Sequence, residues 1–175
     1  MTDSLVFEAV HSAEQIGIVS KLAYELWTPH FKPPICSEEQ TVYMLEKYQS
    51  VSAITKQIND DHYEYFLIYK PEQHDKPVGY LAMCPSSEIP SSLCMSKFYL
   101  IPDVRGRGYA HQLCDYAVAI AKKHGCSSIH CYCNRRNASC EVYKKLGFHI
   151  DHEENTPIGQ GFVCEDYVFK LDFAK

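Results

Sequence analysis

The chain has 175 residues, of which 46% are hydrophobic and 22% charged, and its formal net charge is -5 at pH 7. That length suits one domain with a substantial core, and the composition lacks the apolar depletion that marks disorder. The acidic balance argues against a nucleic-acid partner, which needs clustered Lys and Arg, and suits a cationic substrate better.

Residues 4–10 read as a strand, and Ser12 with Gln15 three positions later forms a capping box that opens a helix. Ile16, Val19, Leu22, Ala23 and Leu26 fall on one face of that helix, and Pro29, Pro33 and Pro34 are expected to stop it. Ser37 with Gln40 repeats the capping signal, and Val42, Leu45, Ile54 and Ile58 continue a second helical region, broken near Ser50. Segments 62–69, 77–84 and 93–101, rich in aromatic and β-branched residues and separated by turn formers, read as a meander of three strands. After Ile101-Pro102-Asp103-Val104 and a glycine turn, Ala110, Leu113, Cys114, Ala117, Val118 and Ala121 mark an amphipathic helix closed by Gly125. Strand 128–133, helix 138–146 and strands near 148–152 and 162–171 complete the order β-α-α-β-β-β-α-β-α-β-β. A single domain over 1–175 is expected, without repeats or linkers.

Met-Thr-Asp-Ser at the start carries no basic region followed by an apolar run, and no segment approaches the roughly 18 apolar residues of a membrane span. The expectation is a cytoplasmic protein with no membrane partner. Nine cysteines, odd in number and scattered from Cys36 to Cys164, read as reduced and mostly buried thiols. Cys131 and Cys133, one residue apart, fit neither a redox pair nor a zinc knuckle, so no metal is expected.

The segment Arg105-Gly106-Arg107-Gly108-Tyr109-Ala110 lies between a strand and a helix. Glycines allow close backbone approach, and the free amides of a helix N-terminus attract phosphate, so a pyrophosphate suits this turn. A dinucleotide fingerprint needs a third glycine where His111 stands, and a P-loop needs Gly followed by Lys and Ser or Thr; neither is present. A tight turn with no ligand stays open as the alternative.

Arg105, Gly108 and Ala110 match the Arg/Gln-x-x-Gly-x-Gly/Ala signature of the GCN5-related N-acetyltransferase (GNAT) superfamily, which this chain resembles. Tyr99-Leu100-Ile101-Pro102 resembles that family's fourth strand and its exit, and Tyr143-Lys144-Lys145-Leu146-Gly147-Phe148 resembles its Tyr-x-Lys-x-Gly-Phe segment. The resemblance covers essentially the whole chain and implies an α/β (α+β sandwich) fold, with a mixed, mostly antiparallel sheet of about 6–7 strands flanked by about four helices. It also implies acetyl-coenzyme A as co-substrate, with Phe98, Tyr99 and Leu100 meeting the pantetheine and Arg105, Gly106, Arg107, Gly108, Tyr109, Ala110 and His111 at the pyrophosphate. The Leu100 backbone would hold the thioester carbonyl, and Tyr143 would protonate the departing thiolate. From spacing alone, Tyr143 reads equally as an aromatic packing its helix onto the sheet.

Two departures stand out. The family's cofactor-contacting Asn falls where this chain has Arg136, which leaves Asn137 as the expected contact. Many relatives carry a Glu base on the strand before the glycine turn, yet 93–101 contains no carboxylate. Glu25, Glu38, Glu39, Glu64, Asp166, His30 and His130 are alternative bases, and Trp27, His30, Phe31, Tyr43 and Tyr48 occupy the segment that walls the acceptor site in relatives. Gly159-Gln160-Gly161-Phe162 and Asp166-Tyr167 look like the tail of a bacterial branch of small-molecule acetyltransferases, some acting on polyamines. The expected acceptor is a small primary amine. A protein N-terminus or lysine, or a non-catalytic acyl-coenzyme A sensor, are the other readings, and homodimerisation is common among relatives.

Overall fold

Serines divide the helical half of the chain in the computed structural model, which describes residues 4–173. Ser12 opens α1 (Ala13–His30): its side chain accepts from Gln15 N at 3.1 Å, and the Gln15 side chain accepts from Ser12 N at 3.0 Å, closing the capping box. Pro29 does not end this helix as the sequence suggests. In the last turn a proline removes a single hydrogen bond, and α1 runs on to His30 before Pro33 and Pro34.

Ser37 opens α2 (Glu38–Gln49) by accepting from Gln40 N at 3.1 Å, but the Gln40 side chain donates to Val163 O instead of closing a box. Ser50 then caps α3 (Val51–Asn59), accepting from Ala53 N at 3.2 Å. The break near Ser50 therefore makes two helices of the second helical region, and five α-helices form instead of about four. Val42, expected on a buried face, is 51% exposed. Thr41, Leu45 and Gln49 are the buried positions of α2.

Seven strands build one sheet: β1 (Val6–Ala9), β2 (Glu64–Tyr69), β3 (Gly79–Pro85), β4 (Ser92–Leu100), β5 (Ser128–Asn134), β6 (His149–Gly159) and β7 (Phe162–Asp172). Their order is β1-β2-β3-β4-β5-β7-β6, with every neighbouring pair antiparallel except β4 and β5. β6 extends well past the expected 148–152 because it pairs with β7 as far as Gly159, through two register shifts. The α/β sandwich with a mixed, mostly antiparallel sheet is the architecture the sequence predicts.

Helices cover both faces. On one, α4 (Tyr109–Lys123) and α5 (Ser139–Lys145) pack Leu113, Ala117, Ala121 and Tyr143 against Leu81, Met83, Met95, Ile129 and Phe169. On the other, Val19, Ala23, Leu26 and Trp27 of α1 join Leu45 and Ile54 against Tyr65, Leu67, Tyr80 and Ala82. A large apolar side chain fully buried in either layer contributes about 1.5–3 kcal/mol. Nine cysteines are free and seven are buried, as expected.

The feature that positions a site is a parting in the middle of the sheet. β4 and β5 pair only over Ser92–Cys94 and Ser128–His130. Beyond that, β4 stays with β3 up to Leu100, while β5 stays with β7 to Asn134. The two halves of the sheet diverge into a wedge.

Candidate active site

A cleft of about 1270 Å³ opens along this wedge, from the glycine turn before α4 to the far end of β6 and β7. It exceeds the roughly 300–1,000 Å³ of ordinary small-ligand pockets and so has room for a large ligand and a second small one.

At one end lies the glycine turn. Gly106 and Gly108 adopt φ of +73° and +80°, a region disfavoured for residues with a Cβ, and Gly108 is the N-cap of α4 with no side chain to bond the helix amides. The first amides of the helix are thus presented to the cleft, with the positive end of the helix dipole behind them. Gly106, Gly108, Ala110 and His111 line it, and Arg107 lies exposed in the turn. Tyr109 lines the cleft but is only 6% exposed and belongs to the core. Arg105 turns back, its Nε donating to Leu100 O at 3.0 Å. This cradle of free amides fits a pyrophosphate.

The edge of β4 supplies the middle of the cleft. Ile101 N donates to Val78 O on the β3 side. Because successive residues of a strand turn their backbone groups to opposite edges, the Leu100 N–H faces the wedge that β5 has left. Phe98 and Leu100 direct their side chains to the α4–α5 layer, while Tyr99 stacks on Tyr80 at 5.2 Å and lies 5.6 Å from Trp27.

Tyr143 lies behind this edge in the last turn of α5, lining the cleft and 9% exposed. Its ring meets Phe98, Phe148 and Phe169 at centroid distances of 5.9, 5.6 and 5.4 Å. Burial first, and then the neighbouring thiols of Cys131 and Cys133, push its phenol well above the ordinary range, so it remains protonated at neutral pH. Packing and proton holding thus coexist in one residue.

Asn137 is buried just before α5: its Oδ1 accepts from Ser139 N at 2.9 Å, and its Nδ2 lies 3.2 Å from His30 Nε2. Arg136, at the family position of the Asn, points outward to Glu165 at 3.0 Å. The His30 imidazole is held below its usual range by burial and then by Arg105.

Of the alternative bases, Asp166, His30 and His130 line the cleft, whereas Glu25, Glu38, Glu39 and Glu64 do not. Glu64 instead contacts His124. Asp166 of β7 faces Asn134 of β5 and Glu154 of β6 in register. Burial, reinforced by Glu154 and opposed by Arg135, raises its carboxyl to about 6. Trp27, His30, Phe31 and Tyr48 wall the cleft as expected, but Tyr43 turns away and donates to Ile158 O at 2.6 Å.

Sequence reasoning missed Lys97, Cys84 and Glu154, all of which line the cleft. For Lys97 the obstacle is a bulge: Ala82 pairs with Lys97 and Met83 with Met95, so Ser96 is an extra residue and the alternation of β4 reverses there. Strict alternation would have put Lys97 with Met95 in the α4 layer.

A model of the acetyltransferase (GNAT) family matches residues 21–148. No curated protein matches the sequence. Among solved structures, the coenzyme A complex of PaiA N-acetyltransferase from Thermoplasma acidophilum aligns with a TM-score of 0.73 at 20% identity, over 97% of this chain and 99% of that one. A GCN5-related N-acetyltransferase from Rhodopseudomonas palustris aligns with a TM-score of 0.77 at 13% identity, over 99% and 98%. The dodecameric spermidine N-acetyltransferase from Vibrio cholerae gives 0.63 at 15% identity, over 97% and 94%. At these identities the likeness is one of fold, and the family match, spanning more than half of the residues, carries the assignment: the chain belongs to the acetyltransferase (GNAT) family.

Proposed function

We propose that the protein transfers the acetyl group of acetyl-coenzyme A to a small primary amine by direct attack in a ternary complex. The observation that carries this reading is the continuity of one cleft, from the bare amides of α4 past the Leu100 N–H to the ionisable Asp166. When bound, acetyl-coenzyme A supplies an activated thioester. The Gly106–Gly108 turn and the α4 N-terminus hold its pyrophosphate, and the edge of β4 at Phe98, Tyr99 and Leu100 holds its pantetheine.

Leu100 N–H donates to the thioester carbonyl, where low dielectric strengthens the bond as negative charge develops. Asp166, with its carboxyl at about 6, is ionised at neutral pH and takes the proton from the incoming ammonium, directly or through water. Tyr143 keeps its proton and offers it to the departing sulfur. The enclosing aromatic wall of Trp27, Phe31 and Tyr48 supports a small acceptor over a protein chain.

The test is free-thiol release from acetyl-coenzyme A in the presence of polyamines, amino acids, aminoglycosides and peptides. Release that depends on one class of small amine supports the reading. Saturable coenzyme A binding with no release for any amine would replace it with the sensor reading.

A further inference from the structure

Lys97 is the most unusual charged residue of the molecule. It sits on β4, is 7% exposed, and forms no ion pair with a carboxylate among the described residues; its ammonium donates to Ser96 Oγ at 3.1 Å. A buried ammonium without a counterion is strongly disfavoured, and such groups persist where a ligand supplies the missing charge or the chemistry needs it. Burial holds the Lys97 ammonium below its ordinary range, with the Cys84 and Cys94 thiols opposing that shift.

The surroundings are rich in donors. The Ser96 bulge places Lys97 on the same face of β4 as Tyr99, and Tyr63, Cys84, Ser96 and Lys97 line the same stretch of cleft wall. The thiols of Cys84 and Cys94 both act on this group; Cys94 first, then Tyr63 and Lys97, hold the Cys84 thiol down at about 7 against burial and Asp61. Ser96 and Tyr63 add hydroxyls beside Lys97, and among the described residues no carboxylate pairs with it. At the closed end of the wedge, where β5 still pairs with β4 at Cys94, His130 is fully buried, its Nδ1 lies 2.8 Å from Ser92 Oγ, and its Nε2 has no partner among the described residues. With the proton on Nε2, it is a second unused donor in the same cleft. Glu88, the nearest carboxylate influence on His130, is bound by the Tyr132 hydroxyl.

We propose that this recess binds an anionic group carried by the acceptor, a carboxylate at the end remote from the reacting amine, with Lys97 as its principal partner. The proposal rests on the acetyl-transfer reading above. Leu100 and Lys97 are three residues apart on one strand, roughly 10 Å. Lys97 leans toward Ser96, away from Leu100, so the recess lies at the distal end of an acceptor whose amine is at Asp166 and Tyr99. The substrate class is therefore an aminocarboxylate with a short spacer. A linear polycation would place a second ammonium against Lys97, a like-charge clash.

The probes are ω-aminocarboxylates of graded chain length, their matched amino alcohols, and linear diamines, assayed by thiol release. Desamino carboxylates of the same lengths, which cannot react, are titrated calorimetrically into protein saturated with coenzyme A. The wild type is expected to favour one aminocarboxylate length over its amino alcohol at least tenfold in kcat/KM and to bind the matching carboxylate. Lys97→Met, which keeps the length of the side chain and removes its charge, should lose both the preference and the carboxylate binding while its coenzyme A affinity and melting temperature hold. Equal or better use of diamines or amino alcohols, or carboxylate binding that survives Lys97→Met, would overturn the proposal with acetyl transfer intact. A Lys97→Met variant that melts early is replaced by Lys97→Gln, and the wild-type comparison decides without either. Failure of coenzyme A to bind at all would remove the acetyl-transfer reading and this proposal together.

Discussion

Arg105 Nε donates to Leu100 O at 3.0 Å, tying the glycine turn to the end of β4. The bond fixes the distance between the amides proposed to hold a pyrophosphate and the N–H proposed to meet a thioester carbonyl, and a hydrogen bond of this kind is worth about 0.5–1.5 kcal/mol. Arg105→Met is expected to weaken coenzyme A binding about three- to tenfold. Calorimetric titration checks this. An unchanged affinity would show that the turn holds its place without the tether.

The same turn predicts a backbone effect. Gly108 sits at φ +80°, so Gly108→Val strains the cap by about 1–3 kcal/mol and adds bulk where the proposed phosphate would approach. The expected result is a lower melting temperature together with a rise of at least tenfold in the Kd for coenzyme A. Loss of stability with unaltered affinity would move the phosphate site elsewhere.

Asp166 links activity and stability through pH. Its carboxyl is raised in the folded state to about 6 from an ordinary value of 3.8, so ionisation is disfavoured by folding. The folded state bears no such penalty below the unfolded value; the penalty grows as pH rises through that interval and is complete above about 6. Asp166→Asn should therefore melt higher than the wild type at pH 8 and converge with it near pH 4. In the opposite sense, kcat/KM of the wild type should rise with pH through about 6, and the variant should lose that limb along with most of its activity. Melting curves and pH profiles on the same two proteins test both limbs.

Ser50 gives a purely structural prediction. Its Oγ accepts from Ala53 N at 3.2 Å at the junction of α2 and α3, so Ser50→Ala is expected to cost about 1 kcal/mol, or about 2–4 °C in Tm. Thermal melting checks it, and coenzyme A affinity should be unaffected.

These cases show what the sequence makes legible. Capping chemistry is local, so Ser12 and Ser37, each with a Gln three residues on, reveal helix starts, Ser50 reads only as a break, and the glycines between a strand and a helix reveal the turn proposed to hold phosphate. The parting of β4 from β5 involves backbone groups, which carry no side-chain signature, so the wedge itself is invisible in the letters. The bulge at Ser96 is equally silent, and it reverses the faces of Lys97 and Phe98. Asp166 reaches the cleft because β7 inserts between β5 and β6, a non-consecutive neighbour relation that periodicity does not encode. Family spacing points to Asn137 as a candidate, but its bond from Ser139 N and its contact with His30 depend on the loop shape.

The central claim is acetyl transfer to an amine, with Tyr143 holding the proton that the leaving thiolate receives. The most direct measurement incubates acetyl-coenzyme A with the responsive amine and follows both free thiol and product mass, for the wild type and Tyr143→Phe. The account predicts stoichiometric thiol and a product heavier by one acetyl group, with kcat reduced about 10²-fold in the variant at near-unchanged coenzyme A affinity. Thiol release without acetylated amine, or full turnover by Tyr143→Phe, would contradict it.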